Sequence, residues 1–200
     1  AAIEALEKHD ADAATWVIAN DRDINDMEQE ISNLVTLTIA TQQPVARDRP
    51  TTMTSFIREA ALERMGDYAK GIARITVRIG EKELLPPIRH ILPMTEVCVD
   101  MLHRAIQAFV ERDADAARSI PKEDDQVDEL FNTIYRELMD QMIANPGSVD
   151  QANHLLWVAH NLERVADRVT NVCERIVFVV TGELLEIDRT DDEWFADEPW

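Results

Sequence analysis

The chain states one pattern twice. Leu62-Glu63-Arg64-Met65-Gly66-Asp67 returns as Leu162-Glu163-Arg164-Val165-Ala166-Asp167, and His9-Asp10-Ala11-Asp12-Ala13-Ala14 returns as Arg112-Asp113-Ala114-Asp115-Ala116-Ala117. Both halves therefore read as one duplicated unit. Each unit carries a Glu-x-x-x-Asp pair. Four residues apart on a helix, two carboxylates share a face and repel. The arrangement is costly unless positive charge stands between them.

Helical periodicity fills the rest of both units. Residues 1–7 read as the end of a helix and 11–19 as a short one capped by Asp10. Residues 21–42 carry a stripe of Ile24, Met27, Ile31, Leu34 and Thr38. A loop is expected over 45–50 and a long helix over 52–79. Paired prolines make a linker of 83–87. The pattern then restarts, with helices over 93–111, 113–119 and 122–144, the last turning Val127, Leu130, Ile134 and Leu138 inward. Asn145-Pro146-Gly147 breaks it, and Ser148-x-x-Gln151 reads as a capping box opening a helix over 148–182. There Leu155, Ala159, Leu162, Ala166, Val169, Cys173, Ile176 and Val180 alternate by four and three, a heptad-like packing seam. The expected architecture is all-α: two tandem three-helix bundles, 1–82 and 88–183, and then an acidic tail over 184–200 that carries Trp194, Phe195 and Trp200. A terminus of that composition is expected to be disordered, with a docking peptide as the alternative. Trp16 and Trp157 are expected in the core or an interface.

Charge narrows the function. A net charge of -19 argues against nucleic acid, which needs clustered Lys and Arg, and against a bare electrostatic grip on anionic lipid. Cations or basic protein surfaces are the natural partners. Cys98 and Cys173 form no Cys-x-x-Cys and read as buried free thiols of a reducing cytosol. No run of about 18 apolar residues is present to span a membrane, and no signal-peptide pattern opens the chain. The start at Ala-Ala-Ile, already inside a helical pattern, reads as a fragment whose first segment is cut away.

On the last helix Glu163, Asp167 and Glu174 fall within roughly 40° of one another, with Asn171 beside them. Asp124, Asp125 and Asp128 open the preceding long helix, and antiparallel packing would set some of them against this ridge. Converging carboxylates raise one another's pKa or bind cations, and hard oxygen donors suit Mg, Ca, Mn or Fe. Ordinary surface ion pairs with Arg164, Arg168 and Arg175 are the alternative. The first copy keeps Glu63 and Asp67, but Gly71 and Arg74 replace Asn171 and Glu174. Asp21 stands for Asp124 and Asn25 for Asp128. Arg74 is expected to place its cation near Glu63 and neutralise the site, so metal binding should be asymmetric and tighter in the second repeat.

Other chemistry is not written in the chain. There is no Glu-x-x-His of a di-iron oxidase, no His-Glu-x-x-His, no Walker loop and no Gly-x-Ser-x-Gly. Asp100-x-x-His103 reads as a surface contact. His160, one turn before Glu163, reads as solvent-facing or capping rather than part of the ridge.

Leu-Glu-Arg-Met-Gly-Asp-Tyr-Ala at 62–69 and Asn-Leu-Glu-Arg-Val-Ala-Asp-Arg-Val-Thr-Asn-Val-Cys-Glu-Arg at 161–175 resemble the paired signatures of the PhoU family of phosphate-signalling regulators. Thr-Gln-Gln-Pro-Val-Ala-Arg-Asp at 41–48, Asp-Asp-Gln-Val-Asp at 124–128 and Thr-Gly-Glu at 181–183 resemble it too. The resemblance covers nearly the whole chain apart from the tail. It implies two three-helix bundles related by a pseudo-twofold, and metal, iron or zinc with Mn or Mg as alternatives. The positions it implies are Glu163, Asp167, Asn171, Glu174, Asp124 and Asp128, with Glu63, Asp67, Asp21 and Asn25 as weaker counterparts. It implies a cytoplasmic, commonly dimeric, non-enzymatic regulator. Such a protein couples a phosphate ABC transporter, through its ATPase subunit, to a sensor histidine kinase, and meets the membrane only through partners. Departures are Pro50, Gly71, Arg74 and a missing opening helix of about twenty residues (some 30 Å at helical rise). A carboxylate-bridged metal enzyme and a metal-free helical adaptor are the competing expectations.

Overall fold

A computed structural model describes residues 1–42 and 49–184, with the side chains of 42 and 49–60 set aside. All regular structure among the described residues is helical. The elements are α1 (Ala2–Glu7), α2 (Ala11–Gln42), α3 (Arg49–Ile79), α4 (Ile88–Glu111), α5 (Ala114–Ser119), α6 (Asp124–Ala144) and α7 (Val149–Thr181). Two 3₁₀ turns, Ile120–Glu123 and Pro146–Ser148, join the later ones.

The duplication is visible in the backbone. His9 and Arg112, equivalent in the two repeats, both sit in the left-handed region at φ 54° and 56°. Each ends one helix, and the aspartate after it caps the next. Asp10 Oδ1 accepts from the Ala13 amide at 2.8 Å, and Asp113 Oδ1 from the Asp115 and Ala116 amides at 3.0 and 2.9 Å. A carboxylate at this position satisfies amides that a helix start leaves unpaired.

α3 and α7 pack on each other at the centre, α2 lies on α3, and α6 lies on α7. α4 crosses both α6 and α7 and closes the second bundle, whereas α1 reaches α2, α3 and α4 with only six residues. At the α3–α7 contact a Cβ added to Gly71 would lie 3.4 Å from Asn161 Nδ2, and the Arg164 guanidinium stands 6.0 Å from the Tyr68 ring centroid. The α7 seam is buried at Leu155, Ala159, Leu162, Ala166, Val169, Cys173 and Ile176. On α6, Val127, Ile134 and Leu138 are buried beneath it and Leu130 is half-buried.

Several expectations change. The helices expected over 11–19 and 21–42 are one, because nothing between them breaks the backbone. α4 starts at Ile88, five residues early, and carries Pro93 inside it. Ser148 makes no cap hydrogen bond: its hydroxyl donates back to the Asn145 and Gln141 carbonyls, and Gln151 donates to the Glu83 carbonyl. The capping box is therefore not formed, since the preceding 3₁₀ turn claims its serine. Trp16 and Trp157 are more than half exposed, not core. Met27, Ile31 and Leu34 of the α2 stripe are exposed as well, because among the described residues α2 packs on α3 and the short α1 only. The loop expected over 45–50 falls mostly, and the tail from 185 wholly, outside the described residues.

Candidate functional site

The short turn between α6 and α7 makes them an antiparallel hairpin, and the Phe131 ring, 6.4 Å from the His160 ring, fixes the register. Three residues further along each helix stand Asp128 and Glu163. Seven residues along stand Asp124 and Asp167. One and two turns of helix separate these levels from the ring pair. The hairpin register therefore puts these four residues at matching levels of the two helices. Asn171 and Glu174 lie beyond the start of α6. Asn171 is exposed and donates to the Asp167 carbonyl at 2.8 Å, so its amide serves its own helix. Glu174 acts electrostatically on Cys173, as does Arg104, which itself pairs with Glu123 and, at 3.2 Å, with Asp100. Both acids hold the Arg104 pKa above its usual range, Glu123 most strongly. Arg104 thus attends the Glu174 end of the ridge.

His160 belongs to this site after all. Its Nδ1 stands 2.9 Å from Glu163 Oε2, one turn along the same helix. Its ring stacks edge-on against Trp157 at 6.0 Å. Burial, and then the charge of Arg164, push the His160 pKa down, so the imidazole is neutral near pH 7. The i, i+3 spacing to Glu163 was its signal in the sequence.

The first repeat solves the same electrostatic problem with its own cation. Lys70 Nζ donates to Asp21 Oδ2 and stands 3.9 Å from Asp67 Oδ1. Asn25 adds a weak contact to the same Asp21 oxygen at 3.4 Å. Arg74, the cation expected here, is exposed and makes no ion pair among the described residues. It lies a full turn past Lys70 along α3. Lys70 could have been found as the i+3 neighbour of Asp67. Its repeat equivalent is Thr170, a buried hydroxyl without a hydrogen-bond partner among the described residues. Asp21 is 4% exposed and its Oδ1 is likewise unpartnered. Close approach of α2 here depends on Gly66, where a Cβ would meet Ile24 Cδ1 at 3.2 Å. Glu63 faces Asp67 and also Glu28. Burial first, then Asp67, raise its pKa, and Glu28 adds to the rise. Glu28 was not anticipated, because its repeat equivalent is the ring of Phe131.

A metal at the second-repeat face would find hard oxygen donors, which suit the ions considered. Among the described residues, no three His, Cys, Asp or Glu side chains are gathered into a ready-made cage. The carboxylates line two facing helices instead. No described helix is long and apolar enough to cross a membrane.

The PhoU domain family model matches residues 1–76 and 91–176. A phosphate-specific transport system accessory protein PhoU homolog of Clostridium acetobutylicum is 37% identical over 187 residues, 93% of this chain and 85% of the relative. One of Rhizobium meliloti is 30% identical over 96% of this chain and 81% of its own length. Among solved structures, PhoU from Pseudomonas aeruginosa superposes with a TM-score of 0.84 at 31% identity, covering 91% of this chain and 88% of that one. The phosphate transport system regulatory protein PhoU from Streptococcus pneumoniae gives 0.86 at 29% identity, covering 92% and 87%.

Proposed function

Because this chain belongs to the PhoU family, we propose that it is a non-enzymatic accessory regulator of phosphate-specific transport that acts by binding partners on the cytoplasmic side. The observation that carries this reading is that the family match runs through both repeats, while relatives bearing that description align over more than nine-tenths of the chain. Its partners on this reading are the ATPase subunit of the phosphate transporter and the sensor histidine kinase, with a second copy of the chain as a further partner.

Metal, iron or zinc with Mn or Mg as alternatives, belongs to the second repeat in this proposal. Glu163 and Asp167 of α7 with Asp124 and Asp128 of α6 would hold it, and Glu174 would extend the site. These carboxylates then tie α6 to α7 and fix the outer face of that hairpin, the surface offered to partners. The Lys70–Asp21 pair also favours a second reading, a metal-free adaptor, since it neutralises one carboxylate set with protein charge alone.

The test is retention of the purified ATPase subunit and of the kinase by the immobilised protein, before and after chelator treatment. Retention of at least one partner is expected, and its loss with chelator would assign the metal a role. If the folded protein retains neither in either state, the regulatory reading fails.

A further inference from the structure

A groove of about 380 Å³ runs between α6 and α7, lined by Phe131 and Tyr135 of α6 and by Asn153, Leu156, Trp157 and His160 of α7. Trp157 is 54% exposed and Tyr135 is 44% exposed. Neither belongs to the packed core, whereas Phe131 and Leu156 are half-buried and pack against it. The rings hold one another in place: Trp157 meets His160 edge-on at 6.0 Å, and His160 lies 6.4 Å from Phe131. Tryptophan and tyrosine left open on a wall already ordered are the side chains that anchor interfaces.

Charge around the groove selects the partner. From Asp124 to Asp167 the hairpin holds nine Asp and Glu against two Arg. Both arginines are engaged elsewhere: Arg164 stands 6.0 Å from the Tyr68 ring centroid on α3, and Arg136 donates to the Asn132 carbonyl of its own helix at 3.3 Å. Among the acids, Glu137 is taken by Arg89 and His90. Asp128 and Glu163 stand one turn beyond the Phe131–His160 pair at one end of the groove, and Asp150 stands one turn before Asn153 at the other. His160, held neutral near pH 7 by burial and then by Arg164, adds no positive charge between them. The groove is thus apolar in its middle and anionic at both ends. From Asp150 to Glu163 it runs about 20 Å along α7, the length of a helix of about thirteen residues. A helix with apolar side chains in its central turns and Lys or Arg towards its ends is the complement of this surface. A second copy of the chain, at a net charge of -19, brings mostly like charge to the rim.

We propose that this groove docks a basic amphipathic helix of a partner protein, which sets an apolar side chain between Tyr135 and Trp157 and brings Lys or Arg to Asp128 and Glu163 at one end and to Asp150 at the other. The inference rests on the reading of the chain as a regulator that works through partners. It adds where on the α6–α7 hairpin a partner sits and what chemistry that partner carries.

A single-tryptophan chain tests it. Trp16→Phe, Trp194→Phe and Trp200→Phe leave Trp157 as the sole indole. The probe is a synthetic helix of about fourteen residues, with leucines on one face of its middle turns and lysines at both ends. Chelator in every buffer keeps the carboxylates free of metal. Binding should shift the Trp157 emission to the blue as the indole leaves water. By calorimetry on the full chain, Tyr135→Ala with Trp157→Ala should weaken binding at least about tenfold. Asp128→Asn with Asp150→Asn should weaken it severalfold, and Val110→Ala, at the end of α4, should leave it unchanged. The same peptide with glutamate for lysine should not bind. No binding of the lysine peptide, binding without an emission shift, equal affinity in the Tyr135→Ala, Trp157→Ala variant, or binding of the glutamate peptide would each overturn the proposal. So would conversion of a dimer to a monomer by that variant in sedimentation, which would make a second copy the occupant. Unchanged thermal melting of each variant separates these outcomes from misfolding. The purified ATPase subunit and kinase distinguish this inference from the reading beneath it. If they are retained equally by the unaltered chain and by the Tyr135→Ala, Trp157→Ala variant, the docking site is wrong and the regulatory reading stands. If the unaltered chain retains neither, the regulatory reading fails, and the peptide alone decides the groove.

Discussion

Lys70 reaches across the α2–α3 contact to donate to Asp21, whose carboxylate is 4% exposed, so one ammonium ion serves the buried acid of α2 and the acidic face of α3 together. Removing it leaves a desolvated charge without its partner. Lys70→Ala should destabilise the protein by about 2–3 kcal/mol, below the usual cost of orphaning a fully buried charge because Lys70 is itself partly exposed. Asp21→Ala added to Lys70→Ala should cost little more, since the acid that needed the cation is gone. A double-mutant cycle by urea unfolding measures the coupling. Simple additivity of the two losses would show that the pair is not coupled.

The expected metal asymmetry concerns the same position, where Thr170 stands in the second repeat in place of Lys70. Glu163→Ala with Asp167→Ala should abolish bound metal in protein purified without chelator. Glu63→Ala with Asp67→Ala should leave it nearly unchanged. Elemental analysis of the two variants decides, and equal loss in both would refute the asymmetry.

The architecture was legible because its signals are local and repeated. The α7 seam from Leu155 to Ile176 is buried as its spacing demands, and Asp10 caps its helix as read. What escaped was set by tertiary geometry. Periodicity marks an apolar stripe but not what packs on it, and among the described residues Met27, Ile31 and Leu34 are exposed. Matching the repeats at carboxylate positions pointed to Arg74, whereas the helix crossing at Gly66 brings Lys70 to Asp21. Glu28 was invisible for the same reason, since a repeat comparison finds only what both copies kept.

Thiol chemistry gives an independent reading of the core between α4 and α7. Burial is the main cause that pushes both thiols up to about 12, with Asp124 adding to the rise at Cys98 and Glu174 at Cys173. Cys98 also donates to the Leu162 carbonyl at 3.5 Å. Only the thiolate attacks a disulfide reagent, so at pH 8 the folded protein should react with Ellman's reagent at least a hundredfold more slowly than the urea-unfolded chain. Rapid modification of either thiol in the native state would contradict the packing of Leu162 against α4.

Glu63 ties pH to the stability of the α2–α3 hairpin. Its folded-state pKa lies above the ordinary 4.5, because burial and the neighbouring charges of Asp67 and Glu28 disfavour the carboxylate. A raised acid binds its proton more tightly in the folded state than in the unfolded one. Its favourable contribution is therefore complete below pH 4.5 and is lost as pH climbs through the folded-state value. At pH 7 the ionised side chain opposes folding. Glu63→Gln keeps the shape and removes the charge, so it should raise the melting temperature at pH 7 and make little difference at pH 4. Calorimetry of both proteins across pH 4 to 8 measures the difference, which should grow steadily from the acid end. A difference that stays flat, or that favours the glutamate at pH 7, would mean that a counter-charge compensates Glu63 there. The repulsion among Glu63, Asp67 and Glu28 would then not be what Lys70 is placed to relieve.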